Sequence, residues 1–136
     1  MDLVKSIMIA ASALKAQSGR MRVISENLAN AQSTATTATG DPYRRKMVTF
    51  DNVYNRELGA YEVRAGDIKF DRTDFGQKYE PGHPAANTAG YVKTPNVNPL
   101  VEMMDMRQAQ LSYEANLNVV RSARTMAART LDILRA

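Results

Sequence analysis

The chain has no cysteine, no tryptophan and a single histidine, and its aromatic residues are six tyrosines and three phenylalanines among 136 residues. Each shortage excludes something. Without cysteine there are no disulfides, thiolate nucleophiles or zinc-finger ligand sets, and the solitary His83 rules against a histidine-rich metal site. With so few aromatics, a thick globular core is not expected of a chain that has one domain's length. Long hydrophobic runs are lacking too. Nothing approaches the roughly 18 consecutive apolar residues of a membrane span, and the stretch from Ile7 to Ala11, set between Lys5 and Lys15, is too short for a cleavable secretory signal. Any export is therefore expected to use another route. Charge of one sign is also missing: 18 basic and 14 acidic residues are interspersed, apart from the run Arg44, Arg45, Lys46, so the net charge of +4 does not by itself point to nucleic acid.

What is present is helical periodicity at both ends. From Leu3 a seven-residue repeat runs through Ile7, Ala10, Leu14, Gln17, Met21, Ile24, Leu28 and Ala31, with Gln17 its one polar member, and Asp2 placed to cap the start. At the other end the stripe is Met103, Met106, Gln110, Tyr113, Leu117, Val120, Arg124, Ala127, Leu131 and Leu134. No proline or glycine lies between Leu100 and Ala136, which predicts a helix of about 36 residues, roughly 54 Å long. Pro99 suits its first turn, and the early Glu102 and Asp105 with the late Arg129 and Arg135 suit its dipole. If the helices run antiparallel, pairing positions whose numbers sum to 137 or 138 sets Leu3 on Leu134, Ile7 on Leu131 and Ile24 on Tyr113.

Between the helices the composition changes. Gln32 to Gly40 has no large apolar residue and reads as a linker or an exposed extended strip, its threonines free to add to a neighbour's surface. Tyr43 to Leu58 reads as extended. Alternation of Tyr61, Val63 and Ala65 and then of Ile68 and Phe70, around Gly66-Asp67, predicts a hairpin turning there. Phe75 to Tyr79 offers a further short strand before the turn Pro81-Gly82-His83-Pro84. The fold expected is thus mainly α with a small β-rich insert. Residues 1–32 and 97–136 form long helices packed together as an antiparallel coiled-coil pair, and residues 33–96 form an extended linker and short β-hairpins.

Candidate chemistry is thin. The run Arg44 to Lys46 reads as a solvated face in preference to a grip on phosphate or a carboxylate cluster. His83 reads as an exposed turn histidine with no acid near in sequence to orient it. Asp67, Asp71 and Asp74 lack the twelve-residue calcium-loop pattern, and Met103, Met104 and Met106 read as core or interface filling.

Three stretches carry a resemblance. Leu14-Lys15-Ala16-Gln17 through Met21, with Ile24-Ser25-Glu26-Asn27-Leu28-Ala29-Asn30, Gly90-Tyr91-Val92-Lys93-Thr94-Pro95-Asn96-Val97-Asn98, and Ser112-Tyr113-Glu114-Ala115-Asn116 resemble the flagellar rod and hook axial family. Tyr43-Arg44-Arg45-Lys46 and Tyr79-Glu80-Pro81-Gly82-His83-Pro84 resemble its proximal-rod members in particular. The likeness covers nearly the whole chain. It implies a structural, non-enzymatic subunit of the proximal rod of the bacterial flagellar basal body, without cofactor. Such a subunit leaves through the flagellar type III export apparatus without a cleavable signal, and polymerises with copies of itself and other rod proteins into the helical drive shaft that crosses the periplasm and transmits torque for motility. Neither nucleic-acid binding nor membrane insertion is implied.

The residues expected to carry assembly and packing are Leu3, Ile7, Leu14, Met21, Ile24, Asn27, Leu28 and Asn30 in the first helix; Tyr91, Pro95, Asn96 and Val97 ahead of the last; and Tyr113, Asn116, Leu117, Val120, Leu131 and Leu134 within it. Independently of the resemblance, each helical seam covers one face only, so apolar residues beside it, such as Val4, Met8, Val119 and Ile133, call for partners. A head-to-tail contact that does not close makes a helical filament. The competing class is a basic amphipathic-helix binder of a membrane surface or nucleic acid; acids flanking both helices weigh against it. A hydrolase would need a nucleophile, base and orienter that one turn histidine does not supply.

Overall fold

The computed structural model describes residues 3–135, with the order α1 (Leu3–Ala29), β1 (Lys46–Asn55), β2 (Ala60–Phe70), β3 (Gly76–Tyr79), β4 (Tyr91–Thr94) and α2 (Pro99–Arg135). Two long helices thus bracket two two-stranded sheets, β1 with β2 and β3 with β4. The 37 residues of α2 begin on Pro99, as its fixed φ favours. Asn98 is the cap: its Oδ1 accepts the Leu100 N–H at 3.0 Å and its carbonyl the Glu102 N–H at 3.1 Å. Asp2, the expected cap of α1, lies outside the described residues. The 27-residue α1 ends at Ala29, where the Asn30 side chain turns back to donate to the Glu26 carbonyl at 2.8 Å and competes with continuation of the helix.

The strands differ from the sequence reading at one point. Gly66-Asp67 does not turn: β2 runs through it unbroken, and the chain reverses instead between β1 and β2, where Gly59 takes a left-handed φ of 60°. Gly66 serves close approach, since a Cβ there would fall 2.6 Å from Asp51 Oδ2 and 2.8 Å from Thr49 Oγ1. The expected strand near Phe75 is β3, and it pairs antiparallel with β4 from Gly76 opposite Thr94 to Tyr79 opposite Tyr91.

By compactness the chain divides into two units, each drawing on both helices. The first takes the chain up to Met21, Thr49–Asp67, and everything from Arg107 onward. Here Gly19 of α1 faces Ala65 of β2, where a Cβ would sit 3.8 Å from the Ala65 methyl. Arg20 donates to Gln108 Oε1 at 3.4 Å. Leu3 and Ser6 share a groove of about 780 Å³ with Ser122, Ala123, Met126 and Ile133, whereas Arg20 meets Gln108, so within this unit position numbers fall along α2 as they rise along α1. The numbers sum to 128 at Arg20 and Gln108, not to 137 or 138. In this register Leu3 lies beside residues near 125, and the last turns of α2 pass beyond it. Leu131 and Leu134, expected opposite Ile7 and Leu3, are accordingly 59% and 78% exposed, and Ile133 is 76% exposed.

The second unit comprises Arg22–Val48 and Ile68–Met106. Its buried apolar residues include Val23, Ile24, Ala85, Val92, Pro95 and Val97, joined by two buried polar ones, Asn27 and Glu102.

The covered stripe of α2 is also rotated from the expected one. Glu102, Ala109 and Ala123 are buried, while Met103, Gln110 and Arg124 are exposed. Both alanines are covered almost completely, a burial that a count of large apolar residues overlooks.

Candidate functional site

The most heavily bonded group in the second unit is polar. Asn27 and Glu102 are each only 1% exposed, and Asn27 Nδ2 donates to Glu102 Oε2 at 3.0 Å. The same amide group donates to the Lys46 carbonyl at 2.8 Å, while Asn27 Oδ1 accepts the Lys46 N–H at 2.9 Å and the Tyr43 hydroxyl at 2.8 Å. All four hydrogen-bonding capacities of an asparagine side chain are therefore used, and its orientation is determined. Toward Lys46 it behaves as a strand residue would, giving to the carbonyl and taking from the N–H at the start of β1.

Glu102 spends its other oxygen on Arg45, whose Nε donates to Oε1 at 2.6 Å. The Arg45 guanidinium also lies 3.5 Å from Asp71 and 3.5 Å from Asp105. Burial works to lower its pKa, but the hydrogen bond and charge of Glu102, then Asp71, outweigh that and raise it. Asp71 is held below the usual carboxylate range first by the Thr73 N–H, at 2.9 Å from Oδ1, and then by the Thr73 side chain and Arg45. Tyr43 is pushed up to about 12, chiefly by burial and then by the charges of Glu26 and Glu102, so at neutral pH it is a donor. Lys46 pairs with Glu26. The expectation of a solvated face for Arg44, Arg45 and Lys46 is thus corrected: Arg45 grips a carboxylate cluster, and Arg44 lies 4.2 Å above the Phe75 ring while donating to the carbonyls of Asp71 and Thr73. A guanidinium left without its acids in this partly buried place would be costly, which is the physical reason the acids are there.

Asn96, between β4 and α2, ties the same region from the other side. Its Oδ1 accepts the Arg45 N–H at 2.8 Å, and its amide donates to the Asp71 carbonyl and to Thr73.

Of the residues named from the sequence, Ile24, Asn27, Pro95 and Val97 are buried, and Leu3, Ile7, Leu14, Met21, Asn30, Asn96, Tyr113, Asn116, Leu117 and Val120 are half-buried. Leu28, Tyr91, Leu131 and Leu134 are exposed. Asn27 and Asn96 come together around Arg45; the exposed four do not join them. The sequence reading missed Glu102, whose place in the first turn was explained by the helix dipole alone, and Tyr43, Arg45 and Asp71, which no short-range spacing connects. Gln17, the polar member of the α1 seam, has its Oε1 buried without a hydrogen-bond partner.

His83 is half-buried and not the free turn histidine expected. Its Nδ1 accepts the Ala85 N–H at 3.0 Å and its Nε2 lies 3.2 Å from Thr34 Oγ1. With Nδ1 accepting, the neutral ring carries its proton on Nε2 and donates to Thr34, the wrong tautomer for a base acting on that hydroxyl. Nearby Glu80 is held low by Lys78, 2.5 Å away.

Side chains that lock elements to one another, beside helix ends that leave apolar surface uncovered, describe a packing subunit. Among the described residues no helix is long and apolar enough to cross a membrane. Comparison with known proteins agrees with this class. Residues 7–35 match the family described as flagella basal body rod protein, and residues 88–133 match the flagellar basal body rod FlgEFG protein C-terminal family. Over nearly its full length the chain is similar to proteins named flagellar basal-body rod protein FlgC. It is 52% identical over 128 residues to that of Agrobacterium fabrum, covering 94% of this chain and 92% of the relative. The Escherichia coli O6:H1 protein is 41% identical, covering 98% of each chain, and the Bacillus subtilis protein 38%, covering 98% of this chain and 99% of its own. The chain belongs to the FlgC family of flagellar basal-body rod proteins.

Proposed function

We propose that this chain is a structural subunit of the proximal rod, that its terminal helices form an antiparallel coiled-coil pair, and that those helices build the helical drive shaft by packing against copies of itself and other rod proteins. The observation that carries the reading is the projecting end of α2, where Leu131, Ile133 and Leu134 stand exposed beside the groove lined by Leu3, Val119, Met126 and Ile133. Burying a Leu or Ile side chain contributes about 1.5–3 kcal/mol, so a neighbour's helix laid along this end gains several kcal/mol from three residues. Torque would then pass through packed helices, with no catalysis and no cofactor. Delivery to the periplasm-spanning rod through the flagellar type III export apparatus, without a cleavable signal, belongs to the same proposal.

The test is sedimentation of the purified protein alone, with anionic vesicles and with DNA, across a salt series. Self-association that persists at high salt is expected. Salt-sensitive binding to vesicles or DNA without self-association would overturn the reading in favour of an interfacial binder.

A further inference from the structure

We propose that the Asn27–Glu102 pair is the register key of the two long helices: it selects one of several alignments that their apolar stripes permit, and so sets how much of α2 projects past the start of α1. The stripes alone do not decide this. Heptad stripes admit more than one alignment, and one summing to 137 or 138 sets Leu3, Ile7 and Ile24 on Leu134, Leu131 and Tyr113, all apolar or aromatic. The polar pair tolerates no such slide. In the alternative alignment Asn27 would meet Gln110 or Leu111, and Glu102 would fall opposite residues beyond Ala29, where α1 has ended. Asn27 and Glu102 are 3.0 Å apart and all but inaccessible, so even a one-turn slip strands an amide N–H and a carboxylate oxygen away from both partner and water.

Two further contacts make the pair directional. Asn27 is fixed to the backbone of Lys46, the first residue of β1, and Glu102 to the side chain of Arg45 just before it, so each helix is referenced to successive residues. Gln17, the polar member of the α1 repeat, supplies no such reference through Oε1, which has no hydrogen-bond partner. A buried polar contact as a register selector is the best-attested use of such groups. The sum of 129 at Asn27 and Glu102 agrees with 128 at Arg20 and Gln108, where the helices meet again.

The chain has no native cysteine, so the test is clean. Cysteine pairs at 20 and 108 report the observed register, and pairs at 7 and 131 the slipped one. Each pair is joined with a short bismaleimide in the native background and in Asn27→Leu/Glu102→Met, which replaces the polar pair with apolar groups of similar size. The native background should link 20 to 108 only. The double variant should remain helical, lose the 20–108 product several-fold and gain the 7–131 product. An undiminished 20–108 yield in the double variant, with no 7–131 product, would overturn the key. Should the double variant fail to fold, Glu102→Met is compared with Glu102→Gln, which keeps an oxygen for Asn27: the first should lose the 20–108 product and the second retain it, and equal yields would refute the idea. The consequence for assembly rests on the rod reading, and the two fail separately: shifted crosslinks with full motility would keep the key and overturn the role of the projecting helix end.

Discussion

Replacing Asn27 by aspartate changes one atom and little volume, yet the geometry predicts a large and pH-dependent loss of stability. The native amide nitrogen faces two acceptors, the Lys46 carbonyl at 2.8 Å and Glu102 Oε2 at 3.0 Å. In Asn27→Asp both contacts become oxygen against oxygen. Each strands a buried acceptor at about 1–3 kcal/mol, so the pair costs roughly 4 kcal/mol before any repulsion between the two carboxylates is added. For a chain of this length that corresponds to a fall in Tm of about 15 °C. The new carboxyl is buried and faces Glu102, and both influences raise its folded pKa above the unfolded value of about 3.9. Its proton restores one donor. The stabilisation from that proton is fully present below the unfolded pKa and is lost as pH rises through the raised folded pKa. The gap between variant and native should therefore be smallest near pH 4 and widest at pH 7 and above. Paired urea titrations followed by circular dichroism from pH 4 to 8 measure it. A difference below about 1 kcal/mol that stays flat with pH would refute the account of a fully committed asparagine.

Leu131→Asp acts on an exposed residue, so the isolated chain should change by no more than about 0.5 kcal/mol, while rod assembly and motility are lost; a motile strain carrying the substitution would count against the projecting end as the contact. His83→Ala removes an acceptor for the Ala85 N–H and a contact to Thr34, and should lower stability by about 1 kcal/mol with motility near normal. A non-motile strain with an intact fold would show that the turn does more than hold the linker. Gly90→Ala places a Cβ 2.8 Å from Tyr79 Cε2 at a φ of 82°, and should cost at least about 2 kcal/mol in a thermal melt while disturbing the near-ultraviolet signal of the Tyr79–Tyr91 pair. An unchanged melt would mean that the β3–β4 turn is not held as described.

Much of the architecture was legible from periodicity. The absence of proline and glycine after Leu100 predicts the length of α2 closely, because helix interiors exclude both and no tertiary contact is needed to say so. Gly66 was misread because glycine marks turns and close approaches alike. Only the side chains of Thr49 and Asp51, far away in sequence, distinguish the two. The helix register was misread for a related reason: large apolar residues repeat, and the residues that break the degeneracy are an asparagine and a glutamate that hydrophobic periodicity discounts. Arg45 went the same way. Three adjacent basic residues look solvated until the fold brings Glu102, Asp71 and Asp105 around one of them, through contacts between residues at least 26 positions apart. Asn27 and Asn96 stand in the motifs that carry the family resemblance and in neither apolar stripe, and nothing in stripe or motif points to Glu102, the acid that joins α2 to Asn27.

The hold of Asn27 on the Lys46 peptide has a consequence for solubility. A strand that begins with an unpaired N–H and carbonyl offers a template on which the strand of another chain can grow, and a protein that must meet many copies of itself at high local concentration is especially exposed to that error. At Lys46 both groups are already occupied by a side chain from a helix, which cannot be extended into a ladder. Self-association through β pairing is closed off at that residue, in keeping with the proposal that copies meet through helix surfaces.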